Sequence, residues 1–523
     1  MKKLLKILSV SKSLSRRWSD GALAAASLAI SCMLCPAAKA QCESLKPGET
    51  VWVRLLQPVS SYSGKVRDKV QAMVIESPTC GGAEEIAPGT VVEGEIKSVR
   101  RVGMGLVHET ASIRVDFDRL LAKDGNKIEI SVRVVEIDNA RETVKNGLIR
   151  GVNATDTPQG RITSRLKHLP TWNPYSDLTL LAYRAAFPVF PEPEIYLPRG
   201  TDVKLALAVE LRVPEEMRGV AQAGTPDEID RESMEIMAPS LPERTTTRHG
   251  LAADFVNVAV VGTADQMNQA FRAAGWEHGD PTSTRSVMRE MYAFLAFKNY
   301  PEAPISRQLV DGAPMSTTWE KSLDSYEKRE HLRVWARSEV IGGQTVWLGA
   351  MTRETGATLS LKQRKFIHHI EADVDAGRGM LVRDLGLAGC VASVYYVDRP
   401  QMEHAAMNAT GDAMRTDGSL AVVQLKNCEN PVFEQRAADA PIAARPRSKF
   451  ARYVRMQVLS FKSDVVRGNI VYGIFDLTRM AIRARRNHTQ RLEMARQVET
   501  QRSPPVDVAV TNQVTANASF GGQ

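Results

Sequence analysis

The 523-residue sequence contains no G-x-S-x-G, H-E-x-x-H, Walker or Rossmann pattern. Serine nucleophile elbows, helix-borne zinc proteolysis and Gly-rich phosphate loops therefore have no anchor in it. Its four cysteines beyond residue 40 include no C-x-x-C pair, which speaks against a structural zinc site. No nucleic-acid motif accompanies the net charge of +8. That excess permits contact with anionic lipid or phosphate without calling for nucleic acid as a partner. A Pro/Gly phrase recurs at irregular spacing, which excludes a solenoid. At this length one core is too few, and two or three domains are expected.

What is present begins with an export signal. Lys2, Lys3, Lys6, Lys12, Arg16 and Arg17 form a basic region, an apolar segment runs from Ala22 to about Cys35, and Ala38-Lys39-Ala40 precedes Gln41. The pattern is that of a signal peptide over residues 1–40, with an apolar run shorter than the roughly 20 residues that span a bilayer. Cleavage there removes Cys32 and Cys35 and leaves Cys42, Cys80, Cys390 and Cys428. Four cysteines in an oxidising compartment predict disulfides, for which we favour Cys42–Cys80 and Cys390–Cys428.

The expected architecture is multidomain: an N-terminal all-β barrel- or sandwich-like domain, an α+β domain with an antiparallel sheet, a basic C-terminal helix and a disordered tail. Residues 41–213 read as β-rich. Thr50–Leu55, Val70–Ile75, Thr90–Ile96 and Ile113–Phe117 are the first strands, several with the alternation of a half-buried strand. Turns at Pro47-Gly48, Pro88-Gly89 and Pro198-Arg199-Gly200 introduce strands. An aromatic-proline segment, from Pro170 to Tyr196, reads as ordered loops over a barrel end. Residues 214–250, broken by proline and acidic, read as a linker.

In the α+β domain, 251–430, Thr263 and Gln266 form a capping box ahead of a helix with Met267, Ala270, Phe271 and Ala274 inward, and Gly275 ends it. A second helix starts at Ser283 or Thr284 with Val287, Met291, Phe294 and Leu295 inward. Strands at 331–340 and 345–352 join across Gly342-Gly343, and residues 364–372 read as a third strand. From 431 to 500 the chain is a basic amphipathic segment. About thirteen Arg and Lys stand against three acidic residues between Arg445 and Arg496, a composition that suits an anionic lipid surface or a docked terminal helix. Residues 501–523 read as a disordered tail.

The candidate chemistry lies between His331 and Arg378, which hold three of the nine histidines. Period-2 spacing puts His331, Arg333 and Trp335 on one strand face, and His369, Glu371 and Asp373 on another. If the strands lie together, His331, His369 and Asp373 could hold a divalent metal, or Arg333 could hold an anion while a histidine moves protons. His368 points away from His369 in a regular strand. The structural alternative has Asp373 or Asp375 capping a helix, His368 in a hydrogen-bonded core and Arg333 paired with Asp375.

Asp254-Phe255-Val256-Asn257-Val258, Ala273-Ala274-Gly275-Trp276, Tyr300-Pro301-Glu302-Ala303-Pro304, His331-Leu332-Arg333-Val334-Trp335, Val346-Trp347-Leu348-Gly349-Ala350 and His368-His369-Ile370 occur in that order. This series, over about 250–400, resembles the LssY C-terminal domain family. Glu330 departs from it where a further histidine is common, and Gly377 and Gly379 replace usual acidic residues around Arg378. Members often accompany membrane modules of the phosphatidic-acid-phosphatase and DedA types, which implies envelope or lipid-phosphate work. Two functions follow as expectations: an exported envelope protein, periplasmic or peripheral to a membrane, that binds an envelope partner or an anionic lipid or phosphate group; or a metal- or histidine-dependent hydrolase of phosphate esters.

Overall fold

The computed structural model describes residues 44–441 apart from 81–82, 104–109, 123–125, 140, most of 154–192, 220–223, 297–298, 324–327 and 361–364, and scattered positions between 448 and 492. The signal peptide, Cys42, the side chain of Cys80, most of the aromatic-proline segment and the tail lie outside the described residues.

Thr50–Leu55 (β1), Lys69–Glu76 (β2), Val91–Arg100 (β3), Ser112–Leu121 (β4), Lys127–Glu129 (β5), Val132–Ile137 (β6), Thr143–Lys145 (β7), Leu148–Arg150 (β8) and Asp202–Leu207 (β9) form one sheet in the order β7-β8-β4-β3-β2-β1-β9-β6, with β5 beside β4. Its pairs are antiparallel, and the end strands β6 and β7 approach each other, so the sheet is nearly closed and barrel-like. Near-closure leaves little unpaired edge. Inward residues such as Val53, Val74, Val92, Phe117 and Leu205 fill the interior. The Pro/Gly turns take the positive φ that glycine allows, at Gly48 (92°), Gly89 (89°) and Gly200 (90°).

The second domain has Val258–Val261 (β10), Glu277–His278 (β11), Thr317–Ser322 (β12), Arg329–Ile341 (β13), Gln344–Ser360 (β14), Lys365–Ile370 (β15), Val391–Asp398 (β16) and Ser419–Leu425 (β17) in the order β11-β12-β13-β14-β10-β17-β16. β15 pairs with β14 off this path. The sheet is mixed, because β10 and β17 run parallel; the expectation of a purely antiparallel sheet misses this pair, whose strands are distant in sequence. The β13–β14 turn is Gly342-Gly343, with φ of 56° and 74°, as a two-residue hairpin needs.

The described helices include Glu228–Met237 (α1), Ala264–Ala273 (α2), Thr284–Ala296 (α3), Val374–Leu387 (α4) and Val432–Ala438 (α5). α2 and α4 cover one sheet face through Phe271, Leu381 and Leu385, while Met234 of α1 packs on the other, which makes three layers. The capping box at Thr263 forms as expected, and Gly275 follows the helix with φ of 82°. Two segments differ from the sequence reading. Residues 214–250 are more than a linker: Asp227 caps α1, and Met234, Ala238 and Leu241 are buried. On α3, Val287 and Met291 of the expected inward face are exposed while Ser286 and Ala293 are buried, and the side chains of Phe294 and Leu295 lie outside the described residues. Glu290, on the covered side of α3, reaches an ionic cluster rather than an apolar core.

Cys390 and Cys428 form the expected disulfide, with Cα atoms 4.0 Å apart. Among the described residues no helix is long and apolar enough to cross a membrane.

Candidate functional site

The site begins with the register of three strands. Glu320 of β12 sits opposite His331 of β13, and His331 sits opposite Thr352 of β14. Side chains two residues apart share a face, so Arg329 joins His331 and Glu354 joins Thr352. The result is a buried acid-base cluster. Arg329 donates from Nη1 to Glu320 Oε2 at 2.9 Å and from Nε to Glu354 Oε2 at 3.3 Å. His331 lies with Nδ1 3.1 Å from Glu354 Oε1 and Nε2 3.3 Å from Glu320 Oε2. His368 of β15 lies with Nδ1 2.9 Å from Glu354 Oε2 and Nε2 3.6 Å from Glu290 Oε1 of α3. The five groups run in line as Glu320, His331, Glu354, His368 and Glu290.

Burial sets their charges. Desolvation disfavours any ion in so dry a place, and only close opposite charge offsets it. Burial raises the Glu320 carboxyl well above the usual range despite Arg329. Burial likewise pushes His331 well below an ordinary imidazole, more than Glu354 restores. For Glu354 burial alone would raise the value, but His331, His368 and Arg329 outweigh it and hold the group far down. For His368 burial lowers, and the Glu354 charge with hydrogen bonds to Glu290 and Glu354 wins, so the ring is raised. Glu354 is thus shifted toward its anion and His368 toward its cation, while His331 and Glu320 are shifted toward their neutral forms.

The other nominated residues are placed elsewhere. Arg333 donates to Asp254 Oδ2 at 2.9 Å and to the Ser306 hydroxyl at 2.9 Å; its partner is Asp254, not Asp375. Trp335 is buried and donates to the Ala313 carbonyl at 3.2 Å. His369 points away from the cluster, its Nδ1 2.8 Å from Asp412 Oδ1. Asp373 caps α4 by accepting from the Asp375 amide at 3.1 Å. Asp375 lies 3.2 Å from Arg378 and accepts from Thr416 and the Asp417 amide.

His331 and His368 therefore meet, while His369 and Asp373 stay apart from them. The expectation that His369 would join His331 fails because β15 pairs with β14 rather than β13, and its register delivers His368 to Glu354. His331, His369 and Asp373 do not converge on a metal. Among the described residues no group of three or more His, Cys, Asp or Glu side chains is arranged to hold one.

A second ionic cluster joins the domains. Arg54 of β1 binds Asp202 through two bonds of 2.7 and 2.8 Å and reaches Asp384 of α4 at 2.8 Å. Asp384 also accepts from Lys321 and, at 3.3 Å, from Trp276 Nε1. Asp138 of the barrel domain meets Lys328 at 3.7 Å and also pairs with Arg353. Beside them lies Glu330, fully buried, with neither carboxyl oxygen hydrogen-bonded. Burial pushes it up to about 8, against the pull of Lys321.

Sequence reasoning missed Glu320, Arg329, Glu354, Asp254 and Asp384. Arg329 and Glu354 were within reach, since each lies two residues beyond a named strand residue and so on its face. Asp254 and Asp384 come from distant segments and have no local signal.

Residues 237–420 match the family model described as LssY C-terminus. That segment, just over a third of the chain, contains both histidines of the cluster, its three glutamates and the Arg333–Asp254 pair. No curated protein matches the chain.

Proposed function

We propose that the protein is an exported, envelope-associated binding protein that engages an anionic lipid surface, and that the histidine–arginine constellation of its LssY-like domain holds the fold rather than performing chemistry. The observation that carries this reading is the inward pairing of the nominated groups. Arg333 is held by Asp254, His331 and His368 by Glu354, and His369 by Asp412. A hydrolase would need such groups displayed to a substrate, so phosphate-ester hydrolysis there would require buried ion pairs to open.

The lipid-surface reading is supported by the basic C-terminal segment. At helical positions Arg455 donates to the Val102 carbonyl and pairs with Glu194, and Leu459 joins the core of the barrel domain. Phe450, Val454 and Val458, spaced by four, are exposed. One face is docked, and the other offers an apolar stripe within a basic sequence, the combination that an anionic interface attracts. Each basic residue near such a surface contributes on the order of 1 kcal/mol, and salt screens it.

The test is sedimentation with vesicles containing anionic lipid. Binding should fall with added salt, and in a variant with Phe450, Val454 and Val458 changed to Ser, which keeps the Arg455 and Leu459 contacts. Equal binding by both proteins, or saturable phosphomonoester hydrolysis lost in His331→Gln, would reject the reading.

A further inference from the structure

Just past the end of β16 stands a buried guanidinium that is only partly hydrogen-bonded. Arg399 is 4% exposed. Its Nη2 donates to the Val256 carbonyl, but Nε and Nη1 have no hydrogen-bond partner. Glu243 and Asp417 attract it without forming an ion pair, while Arg378 repels it, and with burial the leading cause its guanidinium is pushed down to about 10. Arg378 is itself buried. It donates to Asp417 at 3.0 and 2.6 Å and to the Ser419 carbonyl, yet its Nε is also unpaired. The two are joined through the start of β17, since the Arg399 amide donates to the Gly418 carbonyl.

A buried guanidinium is costly to the fold unless a counter-charge pairs with it directly and its donors are satisfied. On the atoms with no partner at all, Arg399 leaves one N–H on Nε and two on Nη1, and Arg378 leaves one on Nε. Donors on two fixed forks match an acceptor with several oxygens better than a single-point anion such as chloride.

We propose that Arg399, with Arg378 beside it, forms a buried site for a small oxyanion of the phosphate class. Two carboxylates already hold Arg378: Asp375 at 3.2 Å and Asp417, whose side chain is half-exposed and is the resident competitor that an incoming anion can displace. An oxyanion reaching Arg378 from solvent displaces this carboxylate, and Arg399 supplies the donors behind it. The site lies in the LssY-like segment, away from the basic C-terminal stretch. It deepens the anionic-ligand reading and takes from it only the ligand class, so loss of vesicle binding leaves it standing.

The experiment is equilibrium dialysis of the purified full protein at fixed ionic strength against labelled inorganic phosphate and, in a second arm, a soluble short-chain phosphatidic acid. Thermal unfolding is followed in parallel, because a ligand of the native state raises the midpoint. One saturable site per chain is expected, not displaced by chloride. Arg399→Met should weaken it at least tenfold. Asp417→Asn, whose folding the parallel thermal unfolding checks, should strengthen it several-fold by removing the competing charge. Arg399-dependent binding of either probe supports the site, and the tighter probe names the source as free phosphate or a lipid head group. Absence of saturable binding of both probes, or binding unaltered in both variants, overturns the proposal.

Discussion

His331 and His368 stand on strands that do not pair with each other, yet both rest on one carboxylate, with ring centroids 6.5 Å apart and Glu354 between them. Burial shifts the first ring down toward its neutral form; burial also lowers the second, but the Glu354 charge outweighs it and shifts that ring toward its cation. Identical side chains thus carry opposite roles because one faces Arg329 and Glu320 while the other faces Glu290.

Removing Glu354 should be costly. Glu354→Gln leaves Arg329 and His368 buried without their shared counter-charge, and breaking such a pair costs about 3–5 kcal/mol. Denaturant unfolding of the purified protein should show a loss of that size. A loss of under about 1 kcal/mol, typical of an exposed pair, would mean that the cluster is not buried as described.

Glu330 should give the protein an acid-favouring stability profile. Its folded value, about 8, lies above the ordinary 4.5. Its contribution is therefore complete below 4.5, declines as pH rises because the unfolded chain ionises first, and levels off above about 8. Glu330→Gln should flatten this decline across that window when stability is measured by denaturant titration at several pH values. An unchanged slope would show that another group is responsible.

Asp384 should couple the two domains. It is buried and receives Arg54 from the barrel, and Lys321 and Trp276 from the LssY-like segment. Asp384→Asn should lower stability by about 3 kcal/mol and split one thermal transition into two, read by calorimetry. A single transition with an unshifted midpoint would contradict the coupling.

The Cys390–Cys428 bridge closes a loop with a sequence separation of 38. Replacing both cysteines by serine should cost about 2–4 kcal/mol, measured by denaturant unfolding without reductant. Full stability in the double variant would show that the bridge contributes nothing to the native fold.

The strands flanked by Pro/Gly turns, the Thr263 capping box, the Gly342-Gly343 hairpin and the Cys390–Cys428 pairing were legible because each depends on residues near in sequence or on cysteine number. The shared face of Arg329, His331 and Arg333 follows from strand periodicity alone. Which histidine of His368-His369 joins it depends on strand order and register, and those are fixed by contacts across the whole domain. The exposed face of α3 was unreadable for a related reason. Its covered side carries Glu290 toward His368, so a polar residue faces inward where apolar periodicity points elsewhere. Arg333 found Asp254 rather than Asp375 because Asp254 lies just before β10, which pairs with β14, the neighbour of Arg333's own strand, while Asp375 is held by Arg378, Thr416 and Asp417.

The central claim is that the constellation is a closed ionic core, and ring titration of His331 and His368 by NMR tests it most directly. The account predicts that His331 stays neutral well below the ordinary 6.5 while His368 stays charged above it. Both rings titrating together near 6.5, as solvent-accessible histidines do, would contradict it.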